Sequence, residues 1–318
     1  DRELRTTPWI GISLCPQDAQ DVESLIKYAD TAMYAAKAKG GARFQYFARE
    51  MNQAATERLH IEYRLREALD GGQFVLHYQP KIDMTGRLTG LEALLRWQLE
   101  GEAPLGPAQF IAIAEESGLI DEIGDWVIVT VCRQLRAWID QGLDAPCVAI
   151  NLSTRQLRQP DLAVKVGRML VESGLSPDML EFEVTETAAM ENPQTAARRL
   201  DELGAMGLTL SIDDFGTGYS SLSHLRSLPL DALKIDRSFV RDIASDANDL
   251  AIARGTIALA HSLGLRVVAE GVETMAQWQL LRGLGCDEVQ GYLIACPAPA
   301  EELAGILALG SIQLAARP

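Results

Sequence analysis

The chain has 318 residues, 47% of them hydrophobic and 23% charged, a composition that excludes a disordered or collagen-like protein and supplies ample core. A formal net charge of −15 argues against a nucleic-acid polymer held on a broad cationic surface. A small anionic ligand stays open if metal ions bring it in.

The chain opens on Asp1-Arg2-Glu3-Leu4, without methionine and without signal-peptide character, so a longer parent chain is expected. No apolar run approaches the roughly eighteen residues needed to span a bilayer, and a cytoplasmic location without membrane contact is expected. Residues 9–14 alternate as a strand, and Val22–Ala38 reads as a helix with Leu25, Ala29, Ala32 and Ala36 on one face. Gly40-Gly41 is the expected stop. One strand and one helix cannot build a core alone, so residues 1–48 read as the end of a domain. Residues 49–70 form a charged candidate linker helix, with Leu59, Leu65 and Leu69, closed by Gly71-Gly72.

Strand-like runs follow at 74–79, 91–95, 148–152, 180–184, 208–212, 233–235, 267–269 and 288–290, most of them separated by helical stretches. Helices at 162–173, 252–263 and 278–284 stop at Gly174, Gly264 and Gly285. Strand number and length fit a (β/α)8 barrel over 71–310, with a tail at 311–318. A doubly wound open sheet is the structural alternative. Five scattered cysteines without a C-x-x-C pair are expected to be reduced and mostly buried. The four histidines show no ligand spacing.

Polar residues interrupt the strand runs or follow them directly: Gln79, Glu92, Asn151, Glu183, Asp213, Lys234, Glu270 and Gln290. In a parallel barrel the C-terminal strand ends converge on one mouth, so Glu92, Glu183, Asp213, Asp214, Asp236 and Glu270 can share a site. Such crowding requires protons or cations. Oxygen donors without Cys or His suit Mg²⁺ or Mn²⁺ rather than zinc, and adjacent Asp213-Asp214 can help hold an ion pair about 3.5–4 Å apart. The plainer reading makes these acids strand-end caps and loop charges. In the loop from Asp213 to Ser221, Gly216 and Gly218 lack the third glycine of a dinucleotide fingerprint, and Asp214-Phe215-Gly216 lacks the other kinase motifs. A lid or ligand-sensing loop fits these residues better, with a plain turn as the alternative.

The motif Glu92-Ala93-Leu94-Leu95-Arg96-Trp97 resembles the signature that names the EAL-domain phosphodiesterases of the bacterial second messenger cyclic di-GMP. Tyr78-Gln79-Pro80, Asn151-Leu152-Ser153, Glu183-Val184-Thr185-Glu186, the 213–221 loop, Leu233-Lys234-Ile235-Asp236, Ala269-Glu270-Gly271-Val272-Glu273 and Gln290-Gly291-Tyr292 resemble further family motifs in the same order. The resemblance runs from about Glu57 to Leu309. It implies a (β/α)8 TIM-type barrel with a modified, partly antiparallel start. It also implies metal-dependent hydrolysis of cyclic di-GMP to linear pGpG with two divalent cations, Mg²⁺ or Mn²⁺.

By that resemblance Glu92, Asn151, Glu183 and Asp213 hold one ion, and Asp213 and Asp214 serve the second. Lys234 and Glu270 jointly activate the attacking water, with Asp236 beside Lys234. Arg96 contacts phosphate, where a planar fork suits its oxygens. Gln79 and Gln290 contact the ligand, and Glu186 steadies the loop carrying Asp214. Cys296 before Pro297 departs from the family, which usually has a basic residue there. A homodimer with contacts near the lid loop is also implied. A catalytically silent cyclic di-GMP receptor signalling through the linker helix is the rival, although such receptors typically lose metal carboxylates or the Asp-Asp-Phe-Gly loop. A barrel aldolase using Lys234 as a Schiff base is a third reading. Finally, Ile10-Gly11-Ile12-Ser13, the stretch from Ala29 to Lys37, and Gly40 resemble the tail of a GGDEF (diguanylate cyclase-like) domain, without the cyclase signature.

Overall fold

The alternation of strand and helix signals resolves into two units in a computed structural model, Asp1–Gly71 and Gly72–Pro318. The structure describes residues 8–38, 42–99, 101, 105–218 and 222–312. The expected stop at Gly40-Gly41 and the loop residues Tyr219, Ser220 and Ser221 lie outside the described residues.

In the first unit, strand β1 (Trp9–Ile12) and strand β2 (Arg43–Tyr46) pair in parallel and flank helix α1 (Val22–Ala38). Helix α2 (Arg49–Asp70) follows. The expected face of α1 is inward at Ala32 and Ala36, both fully buried. A Cβ on Gly11 would stand 1.8 Å from the Ala29 carbonyl oxygen, so only glycine lets α1 cross the strand this closely. Strand β2 is a correction to the reading of one strand and one helix. Arg43-Phe44-Gln45-Tyr46 is too short to show an alternation, and three of its four residues are exposed.

The second unit is a closed barrel. Strands β3 (Phe74–Asp83), β4 (Leu88–Trp97), β5 (Cys147–Leu152), β6 (Leu180–Thr185), β7 (Thr209–Phe215), β8 (Ala232–Ile235), β9 (Arg266–Ala269) and β10 (Glu288–Gln290) pair in sequence, and β10 closes onto β3. Strands β4 to β10 run parallel, whereas β3 is antiparallel to both neighbours. A short strand, β11 (Ala298–Pro299), adds to β3 and went unseen in the sequence. This is the (β/α)8-type barrel with a partly antiparallel start, and the open-sheet alternative is excluded by the β10–β3 pairing. Strands β3 and β4 each extend several residues past the runs read at 74–79 and 91–95, because an antiparallel hairpin keeps its ladder up to the turn.

Helices cover the barrel with the stripes their spacing predicts. Helix Ile120–Asp140 buries Val127, Val131, Leu135 and Trp138, and helix Leu162–Ser173 buries Leu162, Val166 and Leu170 before Gly174. Phe182, Leu210, Leu233 and Val267 from neighbouring strands are also fully buried. Among the described residues no helix is long and apolar enough to cross a membrane. All five cysteines are free, but only Cys132 and Cys286 are buried. Cys15 and Cys296 are exposed, which corrects the expectation of mostly buried thiols; Cys296 lies in the loop between β10 and β11.

Candidate active site

Strand periodicity places the polar residues at the mouth. Glu92, Leu94 and Arg96 recur at every second position of β4 and line a cleft of about 290 Å³ together with Gln79, Asp213, Glu270 and Gln290. Gln79 stands opposite Glu92 in the antiparallel register. Asn151 pairs with Glu183, and Thr185 with Asp213, across the parallel strands. The backbone N–H of Glu270 donates to the Ile235 carbonyl at 3.1 Å, which sets Glu270 beside the end of β8.

Asp213 and Asp214 are adjacent, and a regular strand would send them to opposite faces. The register of β7 against β8 shifts between Ile212 and Phe215, and Asp214 takes φ 55°, in the left-handed region. That irregularity re-aims the second carboxylate. Among the described residues, carboxylate oxygens of Asp213, Asp214 and Glu270 lie within 4.8 Å of one another. The donor set is oxygen only, as a hard divalent cation prefers.

Lys234 stands at the centre. Its Nζ is 2.5 Å from Glu183 Oε2, 2.5 Å from Glu270 Oε1, 3.3 Å from Asp213 Oδ2 and 3.6 Å from Glu92 Oε2. Burial opposes its charge, but Asp213, Glu183, Glu270 and Glu92 outweigh it and hold the pKa well above the usual lysine value. Burial, Glu92 and Asp213 push Glu183 well above the ordinary carboxylate range against the pull of Lys234 and Lys81. Burial, with Asp213 and Glu92, likewise raises Glu270 to about 8 although Lys234 opposes it. Glu92 goes the other way: Lys234 and hydrogen bonds from Gln290 and Asn151 overcome its burial and lower it.

Around this centre the polar contacts are specific. Asn151 Nδ2 donates to Glu92 Oε1 at 2.8 Å, and Gln290 Nε2 donates to Glu92 Oε2 at 2.7 Å and to Gln79 Oε1 at 3.0 Å. Gln79 Nε2 donates to the Ala295 carbonyl at 3.0 Å. Glu186 opens a short helix, Glu186–Glu191, whose N-cap Thr185 accepts from the Ala188 N–H. There its buried carboxylate accepts the Gly216 N–H at 2.8 Å. Arg96 is half-buried at the cleft wall, its Nη1 donating to the Leu95 carbonyl, and burial lowers its pKa. Asp236 caps helix Arg237–Arg241 by accepting from the Ser238 N–H at 3.0 Å. Asp236 together with burial and Asp213 raises the pKa of Asp214, burial contributing most.

The structure thus gathers Glu92, Glu183, Asp213 and Glu270 around Lys234, brings Asp214 to the same mouth, and leaves Asp236 tied to its helix. Sequence reasoning missed Arg237 and Glu273, which line the cleft, and the buried pair Lys81–Glu181 beneath it. A period-two extension from Gln79 and Glu183 would have found that pair.

Fold and site define a (β/α)8-type barrel with an acidic, oxygen-donor centre at its C-terminal strand ends. The EAL domain model matches residues 62–297, and the chain belongs to the EAL domain family. It is 45% identical over 302 residues to the bifunctional diguanylate cyclase/cyclic di-GMP phosphodiesterase MucR of Pseudomonas aeruginosa, covering 95% of this chain and 44% of that protein. It is also 45% identical over 299 residues to the cyclic di-GMP phosphodiesterase NbdA of the same organism, covering 94% and 38%. The chain therefore spans less than half the length of these curated relatives. The solved PaMucR phosphodiesterase in complex with c-di-GMP matches with a TM-score of 0.74 at 46% identity, over 77% of this chain and 99% of that one.

Proposed function

We propose that the barrel hydrolyses one phosphodiester bond of cyclic di-GMP to give linear pGpG, in bacterial second-messenger signalling. The observation that carries this reading is the carboxylate cluster of Asp213, Asp214 and Glu270 at the mouth, with Glu92 and Glu183 meeting at Lys234. The similarity to MucR and NbdA supports it.

Glu92, Asn151, Glu183 and Asp213 would hold one divalent cation, Mg²⁺ or Mn²⁺, and Asp213 with Asp214 a second. Bound there, such ions lower the pKa of a water and neutralise charge on the phosphoryl group. Lys234 and Glu270 contact each other at 2.5 Å and jointly activate the attacking water, the Lys234 ammonium orienting it and the ionised Glu270 carboxylate taking its proton. Asp236 caps the helix that follows β8, two residues beyond Lys234. The water oxygen bonds to phosphorus, the bond to the leaving ribose oxygen breaks, and that oxygen takes a proton from solvent. Arg96 steadies the phosphate from the cleft wall, Gln79 and Gln290 orient the ligand, and Glu186 fixes the loop carrying Asp214. Cys296 supplies no basic contact to the nucleotide.

Residues 1–48 are read as the C-terminal part of a GGDEF-like domain and 49–70 as a linker helix; the parallel β1–α1–β2 unit supports that reading. A homodimer in the cytoplasm completes it, and the net charge of −15 speaks against a DNA or RNA partner. The test is incubation with cyclic di-GMP and Mg²⁺ or Mn²⁺, with product separation and a Glu92→Ala control. Chelator-sensitive pGpG, absent in the control, is expected. Binding without turnover in either metal would replace the enzyme by a receptor.

A further inference from the structure

The layer of side chains beneath the mouth departs from barrel practice. Barrel interiors are usually filled by branched apolar residues, yet here Lys81 and Glu181 are both buried, at 2% and 4% exposure. Lys81 Nζ lies 2.7 Å from Glu181 Oε2 and 3.5 Å from Glu183 Oε1. Glu181 and Glu183 sit two apart on β6 and so share its inner face. The result is a continuous ladder of alternating charge from the mouth downward: Glu270, Lys234, Glu183, Lys81, Glu181.

Stability alone is a weak reason for such a pair, because apolar replacements of buried ion pairs are often neutral or stabilising. The two oxygens of Glu183 suggest another reason. Oε2 faces Lys234, whereas Oε1 is buried and finds no hydrogen-bond partner among the described residues, with Lys81 as the nearby cation. The terminal torsion of a glutamate is broad, so one fixed oxygen does not set the plane of the carboxylate. A second charge on the far side does. The backbone makes room for it: Gly90 is the register partner of Lys81, and a Cβ there would stand 3.1 Å from Lys81 Cε. The lysine stem lies across glycine.

We infer that Lys81, held by Glu181, is a positioning residue for Glu183, fixing that carboxylate in the orientation that binds a divalent cation at the mouth. The inference rests on the metal-dependent reading given above. Removing Lys81 alone would also remove a positive charge, which by itself favours cation binding. The decisive variant is therefore the charge-neutral double, Lys81→Met with Glu181→Leu. Glu181→Gln is its conservative partner, leaving Lys81 an acceptor.

The full chain, stripped with chelator, is titrated with Mn²⁺ alone by calorimetry, and thermal denaturation records folding of each variant. The double variant is expected to bind Mn²⁺ about 10–100-fold more weakly than wild type, the usual effect of losing a partner that orients a metal ligand. Its melting temperature should fall little, and Glu181→Gln, which keeps an acceptor for Lys81 but loses one negative charge, should bind more tightly than the double variant and somewhat more weakly than wild type. A folded double variant with the wild-type Mn²⁺ affinity overturns the inference and reduces the pair to core filling. A wild-type chain that binds no Mn²⁺ removes the metal reading itself, and the inference with it.

Discussion

Lys234 Nζ lies 2.5 Å from Glu183 Oε2 with both side chains fully buried. One lysine therefore faces a crowd of carboxylates in a region of low dielectric. Breaking a buried pair by removing one partner typically costs about 3–5 kcal/mol. Lys234→Met should lower the stability of the chelator-treated chain by about that amount. Cations can take the place of the missing charge, so Mn²⁺ should raise the melting temperature of the variant more than that of wild type. Equal Mn²⁺ shifts in both proteins would show that the ion does not enter the lysine-centred cluster.

Glu186 reaches from the end of β6 to the loop after β7, accepting the Gly216 N–H. That loop also folds on itself, with Thr217 Oγ1 donating to the Asp214 carbonyl at 2.8 Å. Hydrogen bonds to charged groups are worth about 1.5–3 kcal/mol, so Glu186→Ala should free the loop locally. Hydrogen exchange at Gly216 should speed up, and hydrolysis of cyclic di-GMP should drop at least about tenfold, corresponding to roughly 1.4 kcal/mol. Unchanged exchange at Gly216 would exclude this tether.

Much of the barrel was legible because its signals are local. Each of the eight strand runs showed where apolar residues alternate with helices, and a polar residue at a strand end marks the mouth. The meeting of Glu183 with Lys234 was not legible, since it depends on β6 and β8, the two neighbours of β7, sending side chains into the same inner layer of the closed barrel. The joint use of Asp213 and Asp214 is read from their adjacency, but the irregularity in β7 that aims both at the mouth is not, because strand period alone sends neighbours to opposite faces. Lys81 escaped notice because the strand run was followed only to residue 79, and Glu181 because only the strand-end glutamate Glu183 was singled out on its strand. The exposure of Cys15 and Cys296 was missed because composition ranks cysteine as buried, whereas both lie in loops.

Gln290 makes one amide serve two acceptors, Glu92 at 2.7 Å and Gln79 at 3.0 Å. Gln290→Leu keeps the bulk and removes both bonds. Glu92 then loses one of the two amide donors that hold its charged form. Mn²⁺ affinity should fall, and the KM for cyclic di-GMP should rise through Gln79, whose own amide still bonds Ala295. Calorimetry and steady-state hydrolysis separate the two effects; a change in KM with Mn²⁺ affinity intact would assign Gln290 to the ligand alone.

The metal-free chain should have an unusual pH profile of stability. Glu181 is held down to about 2, burial opposing but Lys81 prevailing, against an ordinary value of 4.5. A depressed carboxylate contributes stability that is present above its unfolded value and lost as pH falls toward its folded value. That places an acid limb between about 4.5 and 2. Glu270, raised to about 8 chiefly by burial, has the opposite sign. Its folded form keeps a proton that the unfolded chain has released, so stability declines as pH rises from about 4.5 toward 8. Glu183, also raised by burial, acts in the same direction. Melting temperatures in chelator should therefore peak in mild acid and decline through neutrality. Saturating Mn²⁺ should stabilise the ionised carboxylates and flatten the limb above 4.5 while leaving the Glu181 limb in place. A chelator-treated chain most stable at pH 8 would contradict the buried, proton-holding state of Glu270.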